Sequence, residues 1–509
     1  MDWMLDLLLV AVPLSPLVAG LVARRRPANG AASLATGAAG LALGLSAILL
    51  TAALVSGPVS VRLLPWGSEP FTLRMDGIGA LMSLLVSFLG MTVIRFSGRY
   101  LAGDPDQSRF QSWMCLTLSA VLLLVLSSNL LLVWISWVAM SLFLHRLLLH
   151  FPRRTGAIFS ARKKFVVSRL ADALLLTALI LVHRQFGTWE LERLFAAAPG
   201  NSAGLPLVGA LIVACACLKS AQFPFHSWLP DTMETPTPVS AFMHAGIINA
   251  GGFLVVRLSP LLVHAPEALH ALAVIGSVTA AFAAIVMLAQ PTVKRALAFS
   301  TIAQMGFMML ECGLGAFGLA LLHIVAHSLY KAHAFLHAGS TIGSSPRTAI
   351  PLRTAGLLFG IPFAAGLVSG GYALLPRFLP GTAHPPAVLA VPLACALAYG
   401  LARLWSAAGA SAALRLGVPG AVGLTALAFG LHAVALRFIP VGMVPQPTRA
   451  LEMFVMLVFT GLFLFQVLLW RFRTVPFGQA FYVHALNGFY VGTYANRMLS
   501  RLWPKAETH

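Results

Sequence analysis

The chain has 509 residues, 59% of them hydrophobic and 10% charged, with a formal net charge of +19 and a mean hydropathy of +0.86. Ordinary soluble domains are about a quarter charged, so this composition cannot cover a water-facing surface. A soluble enzyme, an exported factor and a nucleic-acid binder are excluded, and an all-α polytopic membrane protein is expected.

About fifteen apolar stretches are long enough to cross roughly 30 Å of hydrocarbon at about 1.5 Å per residue. In chain order they are 4–22, 31–56, 76–94, 113–127, 129–149, 166–183, 205–222, 239–263, 268–290, 293–311, 316–341, 354–376, 386–410, 420–440 and 450–470. The first carries Asp2 and Asp6 where a signal peptide carries basic residues, and it reads as a retained helix. Basic residues stay with the cytoplasmic ends of spans. With the N-terminus outside and the C-terminus cytoplasmic, the 34 Lys and Arg residues divide into 24 cytoplasmic, 8 external and 2 intramembrane. The densest basic loop runs from Arg146 through Arg153, Arg154, Arg162, Lys163 and Lys164 to Arg169, and the tail adds Arg471, Arg473, Arg497, Arg501 and Lys505. Such charge holds topology and attracts anionic lipid, or presents a docking face to a cytoplasmic partner.

The five cysteines, Cys115, Cys215, Cys217, Cys312 and Cys395, fall in or beside apolar spans without a Cys-x-x-Cys pair, which argues against a disulfide framework or zinc cage. Walker-type and dinucleotide-binding loops and His-Glu-x-x-His are absent from the sequence. Nucleotide-driven transport, catalytic residues and a cofactor are therefore not expected in this chain.

Ionisable groups at bilayer depth cost several kcal/mol unless paired or hydrated, so the few that remain point to function. Asp172 lies about one turn into the sixth span, Lys219 ends an apolar run, and His244 lies in the eighth span. His323, His327 and Lys331 recur every four residues and share one helical stripe. Two imidazoles without a third ligand, beside a lysine that repels cations, argue against a metal and for proton transfer. After Lys219, Pro224, Pro230, Pro236 and Pro238 break the helix, and Asp231 and Glu234 lie among them. Unwound backbone at that depth is tolerated where it is buried in protein or lines a water-filled cavity. Together these features suggest a proton path.

The run Lys219-Ser-Ala-Gln-x-Pro-Phe-His-Ser-Trp-Leu-Pro-Asp-x-Met-Glu-x-Pro-Thr-Pro-Val-Ser-Ala-x-x-His244 resembles the signature of the antiporter-like subunits of respiratory complex I and Mrp-type cation/proton antiporters. The segment 293–306 and His323-x-x-x-His327-x-x-x-Lys331 fit the same family in the same order. The similarity spans roughly residues 70 to 345 and implies about fourteen helices, with two inverted five-helix repeats (spans 4–8 and 9–13), each holding a discontinuous helix. Two departures stand out. Trp137 is followed by Val138 where the family has a glutamate in the fifth span, and the twelfth span lacks the family's lysine.

Within that family, the region 141–172 and the ending His484–Val491 are most similar to the membrane subunits of DAB inorganic-carbon accumulation systems. That resemblance implies a bacterial inner-membrane subunit that couples a cation gradient, of H⁺ or Na⁺, to a DabA-like cytoplasmic protein, with zinc in the partner. The expected organisation is N-terminal helices and an external loop (1–75), two repeat regions (76–263 and 264–412), C-terminal helices (413–475) and a cytoplasmic amphipathic tail (476–509). In the tail, Phe489, Tyr490, Tyr494 and Arg497 belong to a segment that lies on the membrane surface or docks on a partner.

Overall fold

The computed structural model describes residues 2–66, 69–341, 351–378, 386–436, 438, 445–472 and 475–503; Arg473 and Lys505 of the basic tail lie outside them. In a bilayer, backbone polar groups must be satisfied within the protein, and this chain does so with helices. Helices α1 (Asp2–Ala23) and α2 (Ala28–Ser56) lead into an antiparallel hairpin of β1 (Val59–Trp66) and β2 (Glu69–Met75), with Val59 opposite Met75. There follow α3 (Gly77–Tyr100), α4 (Gln107–Leu126), α5 (Leu130–Leu148), α6 (Thr155–Phe186), the short α7 (Leu191–Ala197) and α8 (Leu205–Lys219). A broken stretch holding α9 (Trp228–Asp231) precedes α10 (Thr237–Ala245), α11 (Ala250–Arg257) and α12 (Ser259–Leu262). The chain continues with α13 (Pro266–Ala289), α14 (Val293–Gly313), α15 (Phe317–Leu336), α16 (Thr354–Phe378), α17 (Ala390–Ala412), α18 (Val418–Ala435) and α19 (Arg449–Phe472). The tail forms α20 (Pro476–Leu486) and α21 (Val491–Leu502).

Among the described residues, 13 helical runs are long and apolar enough to cross a membrane. One of them, Ala387–Ala435, contains two expected spans, and the apolar α8 supplies the remaining one. Each expected span therefore has its helix, but two details differ. The sixth span begins at Thr155 instead of 166, and Lys163 and Lys164 are buried in it at 4% and 2% exposure, not in a cytoplasmic loop. Protein acceptors meet both amines: Lys164 donates to the Ser141 carbonyl and hydroxyl at 2.6 and 3.0 Å, and Lys163 donates to Asp231 and Asn496 at 2.8 and 2.6 Å. The twelfth span, α16, is one unbroken helix, whereas a kink at Gly409 (φ +83°) and a π-helical turn over Ala413–Gly417 follow in the next.

The hairpin marks one face of the bundle. Glu69 accepts hydrogen bonds there from the Thr188 hydroxyl and the Trp189 backbone, at 2.8 and 2.6 Å. Asp76 caps α3 through the Gly79 amide at 2.8 Å and also pairs with Arg257 at the end of α11. The tail marks the opposite face, where Gln290 after α13 donates to the Leu486 carbonyl at 3.3 Å.

Helices α13 and α14 cross closely over small residues. A Cβ on Gly306 would sit 2.5 Å from the Ala280 backbone nitrogen, and one on Gly276 would sit 2.5 Å from the Gly306 carbonyl oxygen. Small residues let helices approach this closely where lipid offers no hydrophobic drive to associate.

Two predictions follow from these contacts. Gly306→Ala should lower the melting temperature in detergent or abolish folded yield, whereas Gly423→Ala, which meets open space on α18, should leave it unchanged or slightly raised. Asp76→Asn should destabilise by roughly 3 kcal/mol because it strands the buried Arg257 charge. Asp76→Ala should cost about 1 kcal/mol more through the lost cap, an order that thermal unfolding of the purified variants checks.

Candidate ion-translocation site

Helix α8 is 15 residues long, about 22 Å at 1.5 Å per residue and short of a bilayer. It ends where Ala221 takes a left-handed conformation (φ +50°), which non-glycine residues seldom adopt. The Ser220 hydroxyl fastens the break to the Ile248 carbonyl at 2.8 Å. Of the four prolines, Pro224 lies in the break and Pro230 inside the four-residue α9. Pro236 and Pro238 start α10, where a missing N–H is tolerated, so they open that helix instead of breaking one. Asp231 is held by Lys163, and Glu234 is exposed.

Lys219, 4% exposed, places its ammonium 4.5 Å from the centre of the Trp137 ring. Its Nζ has no hydrogen-bonding partner among the described protein groups. Asp172 on α6 is equally buried, lies 2.6 Å from Arg169 and accepts the Trp134 indole N–H at its backbone carbonyl at 2.9 Å. Lys164, Arg169, Asp172 and Lys219 form one electrostatically coupled group. The acid facing this lysine thus comes from α6, and the α5 position beside it holds an indole.

The second cluster lies between α10, α14 and α15. His244 is fully buried, stacks on Phe335 at 4.4 Å and meets the Thr301 hydroxyl through Nδ1 at 3.1 Å. On α15 the expected stripe is present. His327 Nε2 lies 3.2 Å from the His244 carbonyl, Lys331 donates to the Leu297 carbonyl at 3.2 Å, and the His323 and His327 rings are 6.1 Å apart. Between the clusters, Ile248 and Asn249 occupy a 3-10 turn that interrupts the eighth span, and Asn249 donates to the Ser328 hydroxyl at 2.8 Å.

Two groups were not anticipated from the sequence. Glu311, 6% exposed, lies 2.9 Å from His323 Nδ1, and Gln304 faces His323 Nε2 at 2.9 Å. Their seven-residue spacing puts them on one face of α14, which is the signal that could have found them. Among the described residues, no group of three or more His, Cys, Asp or Glu is placed to hold a metal ion.

The tail lies across this chain's own face. Phe489 packs against Phe282 and Phe481, with ring centres 5.9 and 5.7 Å apart, and Tyr490 meets His484 at 5.6 Å. Arg162 lies over the Trp503 ring at 4.9 Å. Phe489 therefore faces this chain's interior, while Tyr494 and Arg497 stay exposed.

The family model of the NADH:quinone oxidoreductase/Mrp antiporter membrane region matches residues 127–383, and that of the complex I chain 5 N-terminus matches residues 68–111. A protein of Halothiobacillus neapolitanus described as "Probable inorganic carbon transporter subunit DabB2" is 39% identical over 463 residues, which cover 86% of this chain and 82% of the relative. NADH-quinone oxidoreductase subunit L of Mycobacterium tuberculosis is 38% identical over 57% of this chain and 47% of its own. The structure of the Mrp complex from Dietzia sp. shares the fold, with a TM-score of 0.60 at 23% identity over 98% of this chain and 57% of that one. With the family match covering the spans that hold Asp172, Lys219, His244 and the α15 stripe, this chain belongs to the NADH:quinone oxidoreductase/Mrp antiporter membrane family.

Proposed function

We propose that this chain is the membrane subunit of an inorganic carbon transporter, in which protons moving down their gradient through the buried groups drive a cytoplasmic partner. The observation that carries the reading is the polar series across the bundle. It starts at Asp172 and Lys219, crosses the Ser220–Ile248 and Asn249–Ser328 hydrogen bonds, and reaches His244, His327, Lys331 and His323. Buried titratable groups near interrupted helices are the usual elements of proton relays in membranes. One charge crossing 100 mV releases about 2.3 kcal/mol, enough to bias a coupled step by more than an order of magnitude.

The substrate is inferred from the carbon transporter subunits among the relatives. The partner is a DabA-like zinc protein with carbonic-anhydrase-like chemistry, and the metal belongs to it. The relay then delivers energy from this chain, and carbon dioxide hydration or bicarbonate accumulation takes place at the partner. The membrane is the bacterial inner membrane, with the hairpin outside and the tail in the cytoplasm.

A second reading, a redox-linked proton-pump subunit, is favoured by the similarity to NADH-quinone oxidoreductase subunit L. Val138 in place of the fifth-span glutamate weighs against it. Purification of the tagged chain from its native membrane separates the two: a large zinc-containing protein should come with it, whereas quinone-reductase subunits would establish the second reading.

Lys219→Ala and Asp172→Asn should each abolish growth that depends on inorganic carbon uptake without loss of the assembled complex. Full growth of both variants would sink the relay.

A further inference from the structure

Glu311 has no counterpart in the motifs that suggested the relay, yet it is a buried carboxylate at the hairpin end of α14, facing the first histidine of the α15 stripe. A cavity of about 620 Å³ lies beside it, bounded by α13 to α19, and both Glu311 and Gln304 line its wall. The cavity reaches toward the hairpin face at Pro392 near the start of α17 and extends past mid-bundle to Ala284 of α13 and Gln466 of α19. His323 is held at both ring nitrogens, by Glu311 at Nδ1 and Gln304 at Nε2. The carboxylate favours an N–H at Nδ1, and the primary amide can turn either its oxygen or its NH₂ to Nε2. The ring is therefore satisfied in place with or without a proton on Nε2.

We propose that Glu311 and His323 form the loading site where a proton from the hairpin side enters the relay, and that the site accepts a proton in preference to a metal cation. This rests on the proton-relay reading above. A proton taken from water in the cavity is accepted at Glu311, which lines its wall, and is shared with the His323 ring through the Nδ1 contact. It is then passed toward His327, whose ring centre is 6.1 Å away on the same stripe. Na⁺ would need several oxygen ligands together, but here a ring nitrogen occupies the carboxylate. Gln304 acts as a positioning residue through its contact with Nε2. The other titratable groups on the pair's surroundings are His327 on α15, Tyr372 on α16, Cys395 and Tyr399 on α17, and His432 on α18.

The test measures proton uptake against external pH, with the full chain and its copurified partner in liposomes that contain a pH-sensitive dye. Glu311→Gln removes the carboxylate that faces His323 Nδ1 at 2.9 Å. Glu311→Gln should therefore raise the half-saturating external proton concentration about tenfold, a shift of about one pH unit downward. Its maximal rate should stay within about twofold of the unaltered chain. His323→Gln should shift half-saturation in the same direction and gives the result if Glu311→Gln does not assemble. Lys331→Gln, by contrast, should lower the maximal rate and leave half-saturation in place. Added Na⁺ should neither compete with protons nor drive uptake.

Half-saturation unchanged within twofold in both Glu311→Gln and His323→Gln, with Lys331→Gln inactive, would overturn the loading site and leave the relay standing. Competition by Na⁺ that Glu311→Gln relieves would overturn its preference for protons. Full uptake by chains carrying Lys219→Ala or Lys331→Gln would bring down the relay and the loading site together.

Discussion

A cationic side chain inside a bilayer must meet an acid, a carbonyl or a hydroxyl, because hydrocarbon offers it nothing. In this protein the helix irregularities lie where such groups are needed. Regular helices keep their carbonyls for their own amides, but helix ends and broken turns release some of them. Ser220, at the end of α8, reaches the Ile248 carbonyl, and the 3-10 turn that contains Ile248 follows directly after His244. The carbonyl of His244 meets His327, one turn before Lys331 on the neighbouring helix. Ser220 and His327 thus meet carbonyls that a broken turn and a helix end make available.

Rigid packing keeps these oxygens in register. The close crossing at Gly276 and Gly306 fixes α14 against α13 through backbone contacts, and α14 presents Thr301 to His244 and both Gln304 and Glu311 to His323. At the opposite face, Lys163 is shared between Asp231 of the broken segment and Asn496 of the tail. The tail is therefore joined to the interrupted helix by one buried amine, and the exposed Tyr494 and Arg497 stand on the same short helix as that contact.

Hydropathy made the spans legible because the bilayer fixes the length of an apolar run, and four-residue spacing made the α15 stripe legible because helical geometry is regular. Charge counting misplaced Lys163 and Lys164. It treats every basic residue at a span edge as a loop residue, while a long amine can reach a carbonyl or carboxylate inside the protein. The interruption of the eighth span was not legible either, since it carries no proline and is held open by side-chain bonds from Ser220 and Asn249. Prolines misled in the other direction: Pro236 and Pro238 looked like breakers and serve as a helix start. Glu311 stood apart because its significance depends on a histidine from the next helix. The aromatic tail showed a buried face in its spacing but not which surface buries it.

The departure at Val138, where the family has a glutamate, changes how charge is balanced around Lys219. Lys164, Arg169 and Lys219 share a single carboxylate, Asp172, and Arg169 holds the close contact with it. Lys164 has the Ser141 carbonyl and hydroxyl as well. Lys219 has a ring face, an interaction worth about 2 kcal/mol or more when desolvated, and no protein hydrogen bond among the described residues. Three basic groups against one acid is a costly arrangement in a low-dielectric interior. This imbalance stands at the edge of the interrupted helix, where Lys219 is held by a ring face and not by a hydrogen bond to the described protein groups.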